Sequence, residues 1–346
     1  MRVFIYEAIT AGAGWGQDAH QPSSDGLLAE GLAMLRAVTE DFAVIEGVEI
    51  WGLRDERLAG FRLPRKEVVV HSALSERAEF ERLANLCDWA LVIAPELEGM
   101  LSERVGWLQG ATAKLLSPSG EFLAIASSKS RTAERLHSHG VPVPLTVGVP
   151  PSGGFQEPPK GGTPARSGTP TFPLVLKRDD GAGSVGMRFI RNRKELEASI
   201  LENCRLEQFC PGLPASVAVL CGPAGNVALQ PCEQRLDPGT FEYLGGNTPL
   251  PPNLAKRAKT LAIAAIEAMS PTTGYVGVDL VLGEAANGSQ DVIIEINPRL
   301  TTSYIGLRRA CQQNLAQAML DVAAGRLVDL CFGGERVEFR ADGSSM

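Results

Sequence analysis

No apolar run in this 346-residue chain approaches the roughly 18 residues that a membrane span needs. The opening segment, Met1-Arg-Val-Phe-Ile-Tyr6, runs straight into a strand-like pattern and lacks the apolar core and cleavage site of a signal peptide. There is no excess of positive charge either. The chain has 33 basic and 40 acidic residues, a formal charge of −7, which argues against nucleic acid or an anionic membrane as the main partner. The seven cysteines are scattered, odd in number and without a CxxC pair, which disfavours a zinc site and a disulfide framework. Histidine is scarce, and His20, His71, His137 and His139 read as solvated surface residues with no nucleophile beside them. What these absences leave is a soluble, cytoplasmic globular protein. With 44% hydrophobic residues it can bury a sizeable core divided into two or three lobes.

The first third alternates strand and helix patterns. Arg2–Tyr6, Glu67–His71 and Trp89–Ala94 read as strands; the stretches after Ser24 and over Ser75–Cys87 read as helices. Such alternation predicts a largely parallel sheet with covered faces. Thr10-Ala-Gly-Ala-Gly-Trp-Gly16 does not fit G-x-G-x-x-G before a helix, so it is either a weak dinucleotide loop or a flexible substrate-side loop. Pro150–Pro170 is the clearest break in composition and predicts a mobile surface insertion.

Chemistry concentrates further on. Gly274-Tyr-Val-Gly-Val-Asp-Leu-Val-Leu282 and Asp291-Val-Ile-Ile-Glu-Ile-Asn-Pro-Arg299 flank a turn-like segment, which predicts a β-hairpin. Side chains alternate along a strand, so Glu295 and Asn297 share a face, with Asp279 on the partner strand. Three oxygen donors of this kind suit a hard cation such as Mg²⁺, which binds one or two carboxylates together with substrate phosphates. The same acidic pair also suits an ordinary solvated sheet face, and the segments upstream separate the two.

Phe172-Pro-Leu-Val-Leu-Lys177 predicts a strand ending in lysine, followed by the glycine-rich tip Arg178-Asp-Asp-Gly-Ala-Gly-Ser-Val-Gly186. A tip of this kind can close backbone N–H groups over phosphate oxygens while the lysine neutralises charge. It is not a Walker A loop, because the lysine precedes the glycines and no helix opens behind them. Leu206-Glu-Gln-Phe-Cys-Pro-Gly212 leaves a strand with groups that suit an adenine edge, and Lys129 begins a helix that ends at Gly140.

In this order, from Lys129 to about Arg299, the chain resembles the ATP-grasp superfamily of carboxylate–amine ligases. Glu295-Ile-Asn-Pro-Arg-Leu-Thr-Thr-Ser-Tyr-Ile-Gly-Leu307, Val92-Ile-Ala-Pro-Glu-Leu-Glu-Gly99 and Tyr243-Leu-Gly-Gly246 look like the tyramine–glutamate ligases of methanofuran biosynthesis. The resemblance implies α/β and α+β architecture: an N-terminal parallel-sheet (pre-ATP-grasp) domain over 1–115, then a two-lobed ATP-grasp fold. Its small lobe would cover 116–205, with 150–170 a flexible insertion, and its C-terminal lobe 206–333 with the metal site, leaving 334–346 as a tail.

It also implies ATP with Mg²⁺ or Mn²⁺. Lys129 and Lys177 would touch the phosphates, with Gly181, Gly183, Ser184 and Gly186 in the closing loop. Glu207, Gln208, Phe209 and Cys210 would line the adenine, Asp279, Glu295 and Asn297 would hold the metal, and Arg299 and Lys177 would be catalytic. Against the family pattern, Pro214 stands near the usual ribose-binding acid, Gly277 replaces an arginine found in some dipeptide-forming relatives, and Ser128 replaces an acid.

The implied reaction activates glutamate as an acyl phosphate and joins it to tyramine or tyrosine. The partners would be small molecules, with self-association into a homo-oligomer left open, and neither nucleic acid nor membrane. Arg235 and Arg308 are further candidates for a substrate carboxylate, and Asp237–Gly246 for an acceptor-facing loop. Another amine acceptor, or a non-catalytic ATP-binding regulator, are the alternatives, the second disfavoured by the intact set of site residues.

Overall fold

A computed structural model describes residues 1–14, 25–147, 171–181, 186–199 and 203–344, so the expectations for Pro150–Pro170, Gly183 and Ser184 lie outside the described residues. The chain opens with β1 (Arg2–Glu7), α1 (Asp25–Ala43), β2 (Glu49–Asp55), β3 (Lys66–Val70), α2 (Ala73–Leu86), β4 (Trp89–Ile93), α3 (Met100–Gly106) and β5 (Lys114–Leu115). Among the described residues these five strands form an all-parallel sheet in the order β3-β2-β1-β4-β5. Central β1 buries Val3, Phe4, Ile5 and Tyr6 on both faces, as a parallel strand covered by helices must. β2 escapes the sequence pattern because it carries charge inside: Arg54 is buried, its Nε donating to Glu67 at 3.1 Å. Thr10, Ala11 and Ala13 are buried, and Thr10 and Ile9 donate their N–H groups to the Glu7 carboxylate (2.7 and 3.2 Å). Through Gly14 this segment is a packed turn and not an open loop.

Helices α4 (Gly120–Ala126) and α5 (Lys129–Ser138) lead to a small lobe: β6 (Thr146–Val147), β7 (Leu174–Arg178), β8 (Arg188–Ile190), α6 (Arg193–Glu197) and β9 (Cys204–Gln208). Its antiparallel sheet runs β6-β9-β7-β8 over a core of Leu174, Leu176, Ile190, Leu196 and Leu206. The large lobe adds β10 (Leu213–Gly222), β11 (Gly225–Ala228), β12 (Cys232–Leu236), β13 (Tyr243–Thr248), α7 (Pro252–Glu267), β14 (Gly274–Leu282), β15 (Val292–Asn297), α8 (Ser303–Ala310), α9 (Leu315–Ala323) and β16 (Val337–Arg340). Its sheet runs β15-β14-β10-β12-β13-β16, with β11 paired to β10. Among the described residues no helix is long and apolar enough to cross a membrane.

Two expected boundaries are corrected. Phe122, Ile125, Leu136 and Val141, grouped by sequence with the small lobe over 116–205, pack with Val217, Val278 and Ile296 of the large lobe. The small sheet then continues past 205 to Gln208. The expected tail over 334–346 is in part a strand: β16 pairs antiparallel with β13 and buries Phe339. A four-residue strand with one large apolar side chain has too little periodicity to stand out.

The parallel-sheet domain is pinned to the large lobe through α1 and α8. Asp41 accepts from the Tyr304 hydroxyl (2.6 Å) and from Nε and Nη2 of Arg308 (2.8 and 2.6 Å). Asp41→Ala strands a buried hydroxyl and a guanidinium that is one-quarter exposed. The expected loss is about 2–3 kcal/mol after discounting for solvent screening. Chemical denaturation checks it, and wild-type stability in the variant would show that the two elements are held by apolar packing alone.

Candidate active site

The site starts from the β14–β15 hairpin. Asp279 pairs with Glu295 and Gly277 with Asn297, with a bulge between Asp279 and Leu280. Asn297 Nδ2 donates to Asp279 Oδ2 at 2.9 Å, and Gln234 Nε2, from β12, donates to the other carboxylate oxygen at 2.9 Å. Asp279, Glu295 and Asn297 therefore meet on one face of the sheet, and Gln234 joins them as a second N–H donor to Asp279. Burial pushes the Asp279 carboxyl up to about 7, the neighbouring charge of Glu295 adding to it against the hydrogen bond from Asn297. Gly277 has a packing reason. A Cβ there would stand 2.5 Å from Thr301 Cγ2, so the arginine of some relatives has no room.

Two lysines flank the hairpin. Lys129, in the first turn of α5, is buried; its Nζ meets Glu295 Oε1 at 2.6 Å and donates to the Gly181 carbonyl at 2.6 Å. Burial acts to lower this ammonium, but Glu295's charge and hydrogen bond outweigh it and leave the pKa above the ordinary value. Asp179 at the end of β7 accepts from the Ser128 hydroxyl (2.6 Å) and the Ser130 N–H (2.8 Å), fastening the small lobe to the α5 N-terminus. This small-lobe acid sits where the helix dipole favours negative charge. Lys177 is also buried, its Nζ 2.6 Å from Glu207 Oε2 and 3.3 Å from the Ile294 carbonyl. Glu207 is shared with Arg205, whose other arm reaches Thr146 Oγ1 at 2.6 Å.

These groups surround a cavity of about 480 Å³ between the lobes, large enough for a nucleotide and part of a second substrate. Lys129, Lys177, Gly181, and Glu207 through Cys210 line it, as do Asp279, Glu295, Asn297 and Arg299. Gly186, at φ +75°, lies at the return of the glycine-rich tip and does not line it. Phe189 of the small lobe stacks edge-on with Phe209 (5.1 Å) and tilted against Phe241 (5.8 Å), so the Asp237–Gly246 segment meets the small lobe in the cavity wall. Pro214 also lines the cavity, together with the acidic residues Glu207 and Asp237.

Arg299, also in the cavity wall, reaches the N-terminal domain. Its Nε donates to both carboxylate oxygens of Glu96 at 3.1 Å, from the loop after β4. Burial acts to lower the guanidinium pKa, but Glu96 outweighs it. Glu96, Gln234 and Glu30, the last on α1 and in the cavity wall, went unassigned in the sequence. Glu96 stands inside Pro-Glu-Leu-Glu and Gln234 inside Cys-Glu-Gln-Arg-Leu, contexts with no periodic or spacing signal. Arg235 and Arg308 are removed as substrate candidates. Arg235 lies 3.8 Å from Glu338 and donates to the Phe339 carbonyl, and Arg308 is held by Glu40 and Asp41. Alternation on β12 turns Arg235 away from the cavity while Gln234 and Leu236 face it.

The donor set fits ATP and Mg²⁺. Two carboxylates and an amide oxygen, one carboxylate held up to about 7 by burial and like charge, form a pocket that a divalent cation relieves. Two buried ammonium groups stand beside it, each paired with a carboxylate at 2.6 Å.

Residues 126–303, just over half of the chain, match the ATP-grasp domain family, and residues 48–121 match the pre ATP-grasp 3 domain. The chain belongs to the ATP-grasp family and is an ATP-dependent carboxylate–amine ligase. It is similar to tyramine–L-glutamate ligase of Methanocaldococcus jannaschii, 26% identical over 272 residues, covering 79% of this chain and 73% of that protein. The enzyme of that name from Methanocaldococcus fervens is 27% identical over 252 residues, covering 73% and 71%. An ATP-grasp superfamily protein from Archaeoglobus fulgidus shares the fold, with a TM-score of 0.68, 22% identity and 98% of each chain covered. So does N5-carboxyaminoimidazole synthetase from Staphylococcus aureus complexed with ADP, with a TM-score of 0.67, 15% identity, and 96% and 79% covered.

Proposed function

We propose that the enzyme activates the γ-carboxylate of glutamate and joins it to tyramine or tyrosine, forming a γ-glutamyl amide of the methanofuran type. The observation that carries the reading is the meeting of the Asp279–Glu295–Asn297 donors and Arg299 in one cavity wall. The two similar proteins named tyramine–L-glutamate ligase supply the substrate class.

Amide formation in water is uphill until the carboxylate gains a leaving group. A carboxylate oxygen attacks the γ-phosphorus of ATP and ADP departs. The amine then attacks the acyl carbon, loses a proton, and phosphate departs with the carboxylate oxygen. Phosphoryl transfer depends mainly on positioning and charge stabilisation, which is what this residue set offers. Lys129 and Lys177 neutralise phosphate oxygens. Glu207, Gln208, Phe209 and Cys210 border the adenine, and Arg299 stabilises charge on the reacting carboxylate. Bound by Asp279, Glu295 and Asn297, Mg²⁺ (or Mn²⁺) would supply charge neutralisation to the phosphates.

Phosphate release with ATP, Mg²⁺, glutamate and a panel of amines tests the reading. The expected products are ADP and phosphate, fast only with tyramine or tyrosine, and heavy oxygen from the γ-carboxylate should appear in the phosphate. AMP and pyrophosphate would sink the mechanism, and turnover independent of glutamate would discard the acid substrate. A different best amine keeps the ligase and replaces the acceptor.

A further inference from the structure

Three carboxylates of the N-terminal domain gather near Arg299, and two of them are already engaged. Glu96 holds Arg299 itself at 3.1 Å, and Glu7 accepts the N–H groups of Ile9 and Thr10. Glu30 differs. It lies in the cavity wall, half-buried, with Arg299 and Glu242 as its charged neighbours. Among the described residues no group donates a hydrogen bond to it. Burial holds its carboxyl up to about 7, with Arg299 acting against that and Glu242 adding to it. A cavity-facing carboxylate short of donors is costly to ionise, and a ligand that brings N–H donors and positive charge removes the cost.

We propose that Glu30 determines specificity for the acid substrate by binding the ammonium group of an α-amino acid, so that plain dicarboxylates are rejected. The proposal rests on the reading of this cavity as the site of carboxylate activation. Arg299, beside the β14–β15 hairpin, suits the carboxylate that reacts, and Glu30 stands in the same cavity wall close enough to feel its charge. The acceptor amine is the poorer occupant of Glu30. It must lose a proton to attack, and a carboxylate partner would hold it as the inert ammonium. Glutamate keeps its ammonium throughout the reaction, so a fixed counter-charge assists at every step.

The test compares glutamate with glutarate, the same dicarboxylate without the ammonium group, in wild type, Glu30→Gln and Glu30→Ala. ATP-dependent phosphate release is followed with tyramine present, and the KM for ATP verifies an intact nucleotide site. Wild type should prefer glutamate by about 100-fold in kcat/KM, as charge-assisted hydrogen bonds permit. In both variants that preference should collapse towards one, chiefly through a higher KM for glutamate. A preference unchanged in the variants, equal losses with both acids, or no preference in wild type would overturn the role of Glu30 alone. Wild-type enzyme that releases no phosphate with glutamate and any amine overturns the proposed function, and this proposal with it.

Discussion

Asp279→Asn is expected to lower kcat by about a thousandfold or more, roughly 4 kcal/mol of transition-state stabilisation. The two side chains have the same shape, so what changes is the charge that holds Mg²⁺ against the phosphates. Asparagine can still accept from Gln234 as Asp279 does at 2.9 Å, provided that Asn297, which donates to the other carboxylate oxygen, turns its amide to present oxygen to the new NH2, and the apolar neighbours Val278 and Leu280 are untouched. Stability should not fall. Burial and Glu295 raise the folded pKa of Asp279 to about 7, so without metal its ionisation opposes folding. The associated stability is present below the ordinary carboxylate range and is lost as pH rises through about 7. At pH near 8 without Mg²⁺ the Asn variant should therefore melt no lower than wild type. Glu295→Gln should lose turnover comparably, but it also leaves the buried Lys129 without its carboxylate at 2.6 Å, so some stability should go as well. Phosphate release and thermal melts decide both, and near-normal turnover at ordinary Mg²⁺ would remove the metal assignment.

Arg299→Ala is expected to lower kcat by about 100- to 1,000-fold while changing the KM for ATP only a few-fold. Charge develops on the reacting oxygens as the transition state is approached, and a preorganised donor acts mainly there. The alanine variant also strands buried Glu96 and should lose about 3 kcal/mol of stability. Arg299→Lys and Glu96→Gln separate the two effects. Lysine keeps the charge without the planar fork and should restore part of kcat. Glu96→Gln leaves the guanidinium in place but less firmly held, and about a tenfold loss is expected. If Arg299→Ala raised the KM for ATP with kcat unchanged, the residue would be a ground-state phosphate contact instead.

The hairpin was readable from the chain because its information is local. Alternation within Gly274–Leu282 and Asp291–Asn297 fixes which residues share a face of each strand, while the register that sets Asp279 opposite Glu295, with a bulge beside it, is seen only in the fold. The order of Lys129, Lys177, the glycine-rich tip and Glu207–Cys210 is likewise carried by short segments, and Lys129, Lys177, Gly181 and Glu207–Cys210 line the cavity. Charged residues outside such segments were different. Arg299 and Glu96 lie 203 positions apart, so their contact has no trace in either neighbourhood. Arg308 resembles a substrate arginine by sequence, yet the packing of α8 on α1 commits it to Asp41. Glu30 reads as one more polar position on an amphipathic helix until the lobes assemble around it. Local backbone periodicity by itself determined the strands, the turn and the donors at the metal hairpin. Whether a charge ends in solvent, in a structural ion pair or in the cavity depends on which distant surface covers it, and only the tertiary structure decided that.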